Sequence, residues 1–262
     1  MSSHGRVTLH ADAGAQCLAA IDVLVIAGGL GTRIAPVLGD LPKLLAPISG
    51  RPYLAYLLDW LRRFGAHRLV LALGHRASQV VDFLDRDCTG PAHDGLEVVT
   101  VIEPRPLGTA GAIRFARREL RTDPVLIMNG DSFADVDVCE FVAHHKTVQA
   151  KATLLCAQVD DAGRYGRVEL DRNRRIGSFV EKDPQFHGGG IVSAGVYLFS
   201  AALLDEIAAG TASSLERDVF ERAPKSSLDA FAGRFRFIDI GTPESLALAG
   251  RVINNDVGGN PT

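Results

Sequence analysis

Apolar positions along the chain follow two alternating rhythms. Val23 to Ile26, Leu69 to Leu73, Leu96 to Ile102 and Val125 to Met128 are short aliphatic runs that read as buried strands. Between the first two, Tyr53, Tyr56, Leu57, Trp60 and Leu61 recur at helical spacing within Pro52 to Arg63. Gln79 to Leu84 continues a second helix, and a third is expected to run to Leu120, with Thr109 placed to cap it. Strand and helix patterns taken in turn predict an α/β fold, with a mixed, mostly parallel central sheet flanked by helices.

The second half of the chain is richer in strands. Ala152 to Val159, Gly166 to Leu170, Arg175 to Glu181, Ile191 to Phe199 and Arg234 to Ile238 all read that way, as a smaller strand-rich part. Helices are expected at Ala201 to Ala208 and Ser214 to Arg222. A last one follows Thr242 as N-cap, with Pro243 at its first position and Glu244 in its first turn. Residues 1–20 read as an extension ahead of the first strand, 21–251 as a single domain and 252–262 as a flexible tail. No internal repeat interrupts this plan.

Composition narrows the function classes. At 262 residues, 47% hydrophobic and 23% charged, the chain is ordinary for a globular protein able to bury a full core. A net charge of −3 gives no bulk attraction for nucleic acid. The pairs Arg62-Arg63, Arg117-Arg118 and Arg174-Arg175 read as solvated faces. No apolar run approaches the ~18 residues of a membrane span, and residues 1–20 lack the pattern of a secretory signal. Cysteines 17, 88, 139 and 156 form no C-x-x-C pair. They are expected as reduced thiols of a cytoplasmic protein, with neither zinc nor disulfides. His144 and His145, adjacent on a helix, cannot share a face and are expected at the surface.

Chemistry concentrates after the first strand. Gly28, Gly29 and Gly31 form a loop whose backbone N–H groups can approach a ligand closely. Thr32 and Arg33 follow, then Leu41-Pro-Lys43, and the two cations suit a polyphosphate. The loop lacks the Gly-Lys-Ser/Thr of a Walker A motif and the spacing of a dinucleotide fingerprint. Asp131 closes an apolar strand in a glycine-flanked turn, so its carboxylate should project from the carboxyl edge of the sheet, where open α/β sheets bind ligands. Asp239 ends another strand before a Gly-Thr turn.

With these residues the chain resembles the sugar-1-phosphate nucleotidyltransferases, or NDP-sugar pyrophosphorylases. Their G-G-x-G-T-R-L signature and following P-K stand here as Gly28-Gly-Leu-Gly-Thr-Arg33-Ile and Pro42-Lys43. Pro106-Leu-Gly-Thr-Ala-Gly111, Asn129-Gly-Asp131, Tyr165-Gly166, Glu181-Lys182, Ala194-Gly-Val-Tyr197 and Asp239-Ile-Gly-Thr242 then appear in family order, so the resemblance spans about Ile21 to Ala249. It implies a Rossmann-like nucleotidyltransferase fold and the reaction of an NTP with a sugar-1-phosphate to give an NDP-sugar and pyrophosphate.

The resemblance also implies roles. Asp131 and Asp239 would bind Mg²⁺, and Lys43 and Arg33 would hold the phosphates. Lys182 would grip the sugar phosphate and Glu181 the sugar hydroxyls, with Gly166 and Ser193 lining the sugar pocket. Pro106, Gly108 and Thr109 would join the glycine loop in binding the nucleotide. Glu103 occupies the position that faces the nucleobase, where thymidylyl and uridylyl enzymes commonly carry glutamine. A carboxylate only accepts, which matches the adjacent N1–H and N2–H₂ donors of guanine, so GTP is the expected nucleotide.

Ser193 stands where many relatives have asparagine, which leaves the sugar open. Within the family the compact form is most similar to D-glycero-α-D-manno-heptose 1-phosphate guanylyltransferases, with mannose-1-phosphate enzymes next. A uridylyl- or thymidylyltransferase and a non-catalytic NDP-sugar sensor are the alternatives. Retention of Lys43, Lys182, Asp131 and Asp239 argues for an enzyme. No nucleic acid or membrane partner is expected, and a homo-oligomer is compatible with the sequence.

Overall fold

The computed structural model describes residues 16–87, 95–148, 150–183, 185–224 and 227–254. The chain begins with β1 (Val23–Ala27), the helical turn α1 (Ala35–Leu38), a hairpin of β2 (Pro47–Ile48) and β3 (Arg51–Pro52), and α2 (Tyr53–Arg63). Next come β4 (Arg68–Leu73), α3 (Ala77–Asp87), β5 (Glu97–Ile102), α4 (Thr109–Ala116), β6 (Val125–Asn129), β7 (Ser132–Asp135) and α5 (Val138–Thr147). The second half carries β8 (Ala152–Val159), β9 (Arg167–Leu170), β10 (Ile176–Val180), β11 (Gly190–Phe199) and α6 (Ala201–Ala209). It closes with β12 (Leu228–Gly233), β13 (Arg236–Asp239) and α7 (Pro243–Ile253).

Nine strands form the main sheet, in the order β10-β9-β11-β6-β1-β4-β5, with β8 on the other side of β11 and β12 beyond β8. β6, β1, β4 and β5 are parallel and β11 runs against them, as a mixed, mostly parallel sheet requires. Burial on both faces accounts for the aliphatic runs. In β1, Val23 and Val25 face the layer that holds Leu54, Leu57 and Leu61 of α2, while Leu24 faces Ile113 of α4 and Leu204 of α6. β7 pairs with β13 in a separate ribbon. Among the described residues no helix is long and apolar enough to cross a membrane.

Four local expectations are corrected. The third helix ends at Ala116 and continues as a 3₁₀ turn, Arg117–Glu119. Gly108 rather than Thr109 is its N-cap, because the Thr109 hydroxyl is taken by other partners. The helix expected at Ser214 to Arg222 is a π-helical turn, Leu215–Phe220. His145 is buried and bonded through Nδ1 to Thr153 Oγ1 at 2.7 Å, while His144 Nε2 meets the buried carboxylate of Asp229 at 2.6 Å. α5 packs against β8, so neither ring sits on a freely solvated face.

The cysteine reading needs a larger correction. Cys17 and Cys139 form a disulfide, with Cα atoms 5.3 Å apart and a sequence separation of 122. The pairing is tertiary. Leu18 is fully buried and its N–H donates to Phe64 O at 3.0 Å, which brings Cys17 to the first turn of α5. The end of the expected extension is thus part of the core. Cys156 is a buried free thiol, as expected, and Cys88 lies outside the described residues, as do 1–15 and 255–262.

Candidate active site

The carboxyl ends of β1, β4, β5 and β6 meet at one edge of the sheet, where backbone packs directly on backbone. A Cβ on Gly74 would lie 2.5 Å from Gly28 O, and one on Gly28 would lie 2.5 Å from Glu103 Oε1. At Gly74 only glycine fits, because the clash is with backbone; at Gly28 a side chain would displace the Glu103 carboxylate. Gly130 N–H donates to Ile26 O at 2.8 Å and draws the β6 turn against the same loop. The result is a cavity of about 160 Å³, lined by Gly29, Lys43, Gly74, His75, Thr109 and Asp131 among others. Gly31 takes a left-handed φ of 62°, and Thr32 and Arg33 beyond it are exposed.

Asp131 projects from the β6 turn, as its position predicts, and its Oδ2 receives Lys43 Nζ at 2.7 Å. Its carbonyl accepts from Ile240 N–H at 2.8 Å, which anchors the end of β13 beside it. That contact brings Asp239 to the same place. Burial, and then the negative charge of Asp131, raise the Asp239 pKa; Gly241 N–H (2.6 Å to Oδ1), Lys43 and Arg33 act against the shift. Beneath the pair, the Tyr53 hydroxyl donates to Ser132 O at 2.7 Å, its own pKa raised by burial and by both carboxylates. Tyr53 was visible in the sequence only as an apolar helix position.

Two carboxylates held side by side, one of them hard to ionise and the other bonded to Lys43, present hard oxygen donors. This chemistry fits Mg²⁺ or a similar ion. No group of three or more metal-binding side chains occurs among the described residues, so phosphate oxygens and water would complete the coordination.

Glu103 is buried at 6% exposure and lies against Gly28, with its N–H on Leu73 O at 2.7 Å. Among the described residues its carboxylate has one hydrogen bond, from Leu107 N–H to Oε2 at 3.1 Å, and burial raises its pKa. The loop between, with Pro106 exposed, folds over it and reaches Gly108 at φ 78°.

A second group lies along β11. Ser193 N–H donates to Gly166 O at 2.9 Å, and the Ser193 hydroxyl reaches the Tyr197 hydroxyl at 3.3 Å. Gly166 packs under the Phe179 ring, where a Cβ would come within 2.5 Å of Cζ. Glu181 and the exposed Lys182 follow β10, 3.5 Å apart. At Gly195 (φ 72°) the strand bends onto Ser132 and Asn129, which flank the Asp131 turn, and so joins the two groups.

A family model, Nucleotidyl transferase, matches residues 22–255. The chain belongs to this family. As a nucleotidyl transferase it is 30% identical to the D-glycero-alpha-D-manno-heptose 1-phosphate guanylyltransferase of Campylobacter jejuni, over 86% of this chain and 96% of the relative. It is 32% identical to the mannose-1-phosphate guanyltransferase of Debaryomyces hansenii, over 88% of this chain and 63% of that longer one. HddC from Yersinia pseudotuberculosis, solved in complex with GMP-PN, superposes with a TM-score of 0.76 at 32% identity, covering 88% of this chain and 98% of that one.

The structure therefore brings Arg33, Lys43, Asp131 and Asp239 into one charged cluster beside the glycine loop and Glu103. It sets Gly166, Glu181, Lys182 and Ser193 on the adjoining strands. Sequence reasoning assigned no site role to Tyr53 or Glu216; both act through long-range hydrogen bonds that no local motif announces.

Proposed function

We propose that this nucleotidyl transferase moves GMP from GTP to a sugar-1-phosphate, releasing pyrophosphate, and that D-glycero-α-D-manno-heptose 1-phosphate is the favoured acceptor. The observation that carries the choice of base is the buried Glu103 carboxylate, whose single donor among the described residues is Leu107 N–H. Guanine offers adjacent N1–H and N2–H₂ donors to such a group. Uracil and thymine would turn carbonyl oxygens towards it. Mannose-1-phosphate is the second reading for the acceptor, supported by the similarity to the Debaryomyces hansenii enzyme.

A phosphate monoester is already ionised near neutral pH, so no covalent nucleophile or strong base is needed. The acceptor's phosphate oxygen forms the new bond to the α-phosphorus while the bond to pyrophosphate breaks on the opposite side. Arg33 and Lys43 hold the triphosphate against the glycine loop, and Lys182 orients the attacking phosphate with Glu181 on the sugar. Asp131 and Asp239 would hold Mg²⁺, which when bound supplies charge neutralisation between the phosphates. Catalysis then consists of positioning and charge stabilisation.

A matrix of nucleotides against heptose, mannose, glucose and N-acetylhexosamine 1-phosphates, read by pyrophosphate release, tests the reading. GTP with the heptose phosphate should give the highest kcat/KM; faster turnover with UTP or CTP would overturn the guanine assignment. In the same assay Asp131→Ala should lose about 100- to 1,000-fold in kcat with little change in thermal stability. A wild-type rate in that variant would remove Asp131 from the mechanism.

A further inference from the structure

The π-helical turn Leu215–Phe220 is fastened at both ends to the active site. At its start, Ala110 N–H donates to Ser213 O at 3.0 Å and Leu215 N–H to Thr109 Oγ1 at 2.8 Å. The Thr109 hydroxyl in turn donates to Glu216 Oε2 at 3.1 Å, and Ser214 Oγ donates to the same oxygen at 2.9 Å. Gly108 approaches Ser213 O so closely that any Cβ there would overlap it. The nucleotide loop is thus held by the turn, hydroxyl to carboxylate and backbone to backbone.

The far end holds the sugar side. Glu221, the residue that follows the turn, accepts Glu181 N–H on its Oε1 at 3.1 Å. Phe220 packs on Phe179 and Tyr197 with ring centroids 5.4 and 5.2 Å apart, and these two rings contact Gly166 and Ser193 respectively. Asp218 Oδ2 stiffens the entry by accepting Ser213 and Ser214 N–H at 2.9 and 3.0 Å. A π-helical turn has a poorer hydrogen-bond register than an α-helix and recurs at functional sites. Here outside contacts compensate: some lead to the core, as the Phe220 ring on Phe199 does, and the hydrogen bonds of Thr109, Glu216 and Glu221 lead to residues placed in the site.

We infer that Glu216 is a positioning residue of the reaction: through Thr109 it sets the nucleotide loop on the same short turn that sets Glu181, so one element fixes the relative placement of the two substrates. The inference rests on the proposed transfer reaction. Wild-type turnover tests that reaction, whereas comparison among variants tests the turn.

The property that matters is the reach of the side chain. Glu216→Gln keeps an oxygen at the same distance and can accept from both hydroxyls. Glu216→Asp keeps the charge but withdraws the carboxylate by one methylene. With GTP and the best acceptor, Glu216→Asp should lose about 10- to 100-fold in kcat and raise the KM of both substrates, and calorimetry without acceptor should show weaker GTP binding. Glu216→Gln should remain within about threefold of wild type on each measure. A purely structural role would lower the melting temperature without this paired loss. Ser214→Ala, which removes one donor to Glu216, should reproduce the paired loss at smaller size and carries the test if Glu216→Asp fails to fold. An aspartate variant that matches wild type, a glutamine variant as impaired as the aspartate, or a loss confined to one substrate would overturn the inference.

Discussion

Burial pushes Glu103 towards its protonated form and His145 towards its neutral form, and the two shifts serve different ends. On the proposed reading, the donors of a bound guanine would supply the stabilisation that burial takes from Glu103. Glu103→Gln keeps the shape but turns an amide N–H₂ towards the base, so preference for GTP over UTP should fall about 10- to 100-fold, since each hydrogen bond to a charged group contributes about 1.5–3 kcal/mol. Competition kinetics with the two nucleotides measure this. For His145 the partner is internal, Thr153, and desolvation is the first cause of the lowered pKa. A lowered folded value means that the unfolded chain takes up the proton first as pH falls. The stability contribution is intact above the ordinary histidine value of about 6.5 and is lost as pH drops below it. Urea melts between about pH 7 and pH 5 should show this loss in wild type and a flatter profile in His145→Gln. The place of Glu103 beside the glycine loop was implied by the family resemblance, which sets it three positions before Pro106. The burial of His145 was not, because the partner that buries it lies on another element.

At the scale of elements, long aliphatic strands and the amphipathic α2 were legible, since each satisfies its own periodicity. β6 ends within a residue of expectation, and with it the Asp131 turn. β7 and β12 went unread for a physical reason. One is four residues long, and the other, Leu-Asp-Ala-Phe-Ala-Gly, has few of the branched side chains that favour strands. Their pairing with β13 and β8 forms them. The bend in β11 was equally hidden. Gly195 holds φ at 72°, and a Cβ there would lie 2.8 Å from Ser132 Oγ and 2.9 Å from Asn129 Nδ2. Gly195→Ala should therefore cost about 1–3 kcal/mol of stability in urea melts. It should also lower kcat by displacing the turn that carries Asp131, while a variant stable and active as wild type would show that the bend is not coupled to the site.

For the molecule as a whole, the disulfide divides the chain in a way that neither the sheet nor the motifs reveal. The covalent ring closed by Cys17 and Cys139 contains the glycine loop, Lys43, Glu103, Thr109 and Asp131. Gly166, Glu181, Lys182, Ser193 and Asp239 all lie outside it. Denaturation of the oxidised chain leaves the first group confined within a loop, while the second gains its full freedom. In the chain-entropy account such a large ring is worth about 4–5 kcal/mol, with 2–4 typical of measured bridges. Reduction, or Cys17→Ser, should lower the urea midpoint accordingly, and an unchanged midpoint would show that the bridge adds no stability. A chain trimmed to start at Ile21 would forfeit both the ring and the Leu18 plug, so residues 17 and 18 belong to the folded domain, tied by the bridge to the helix that follows the Asp131 turn.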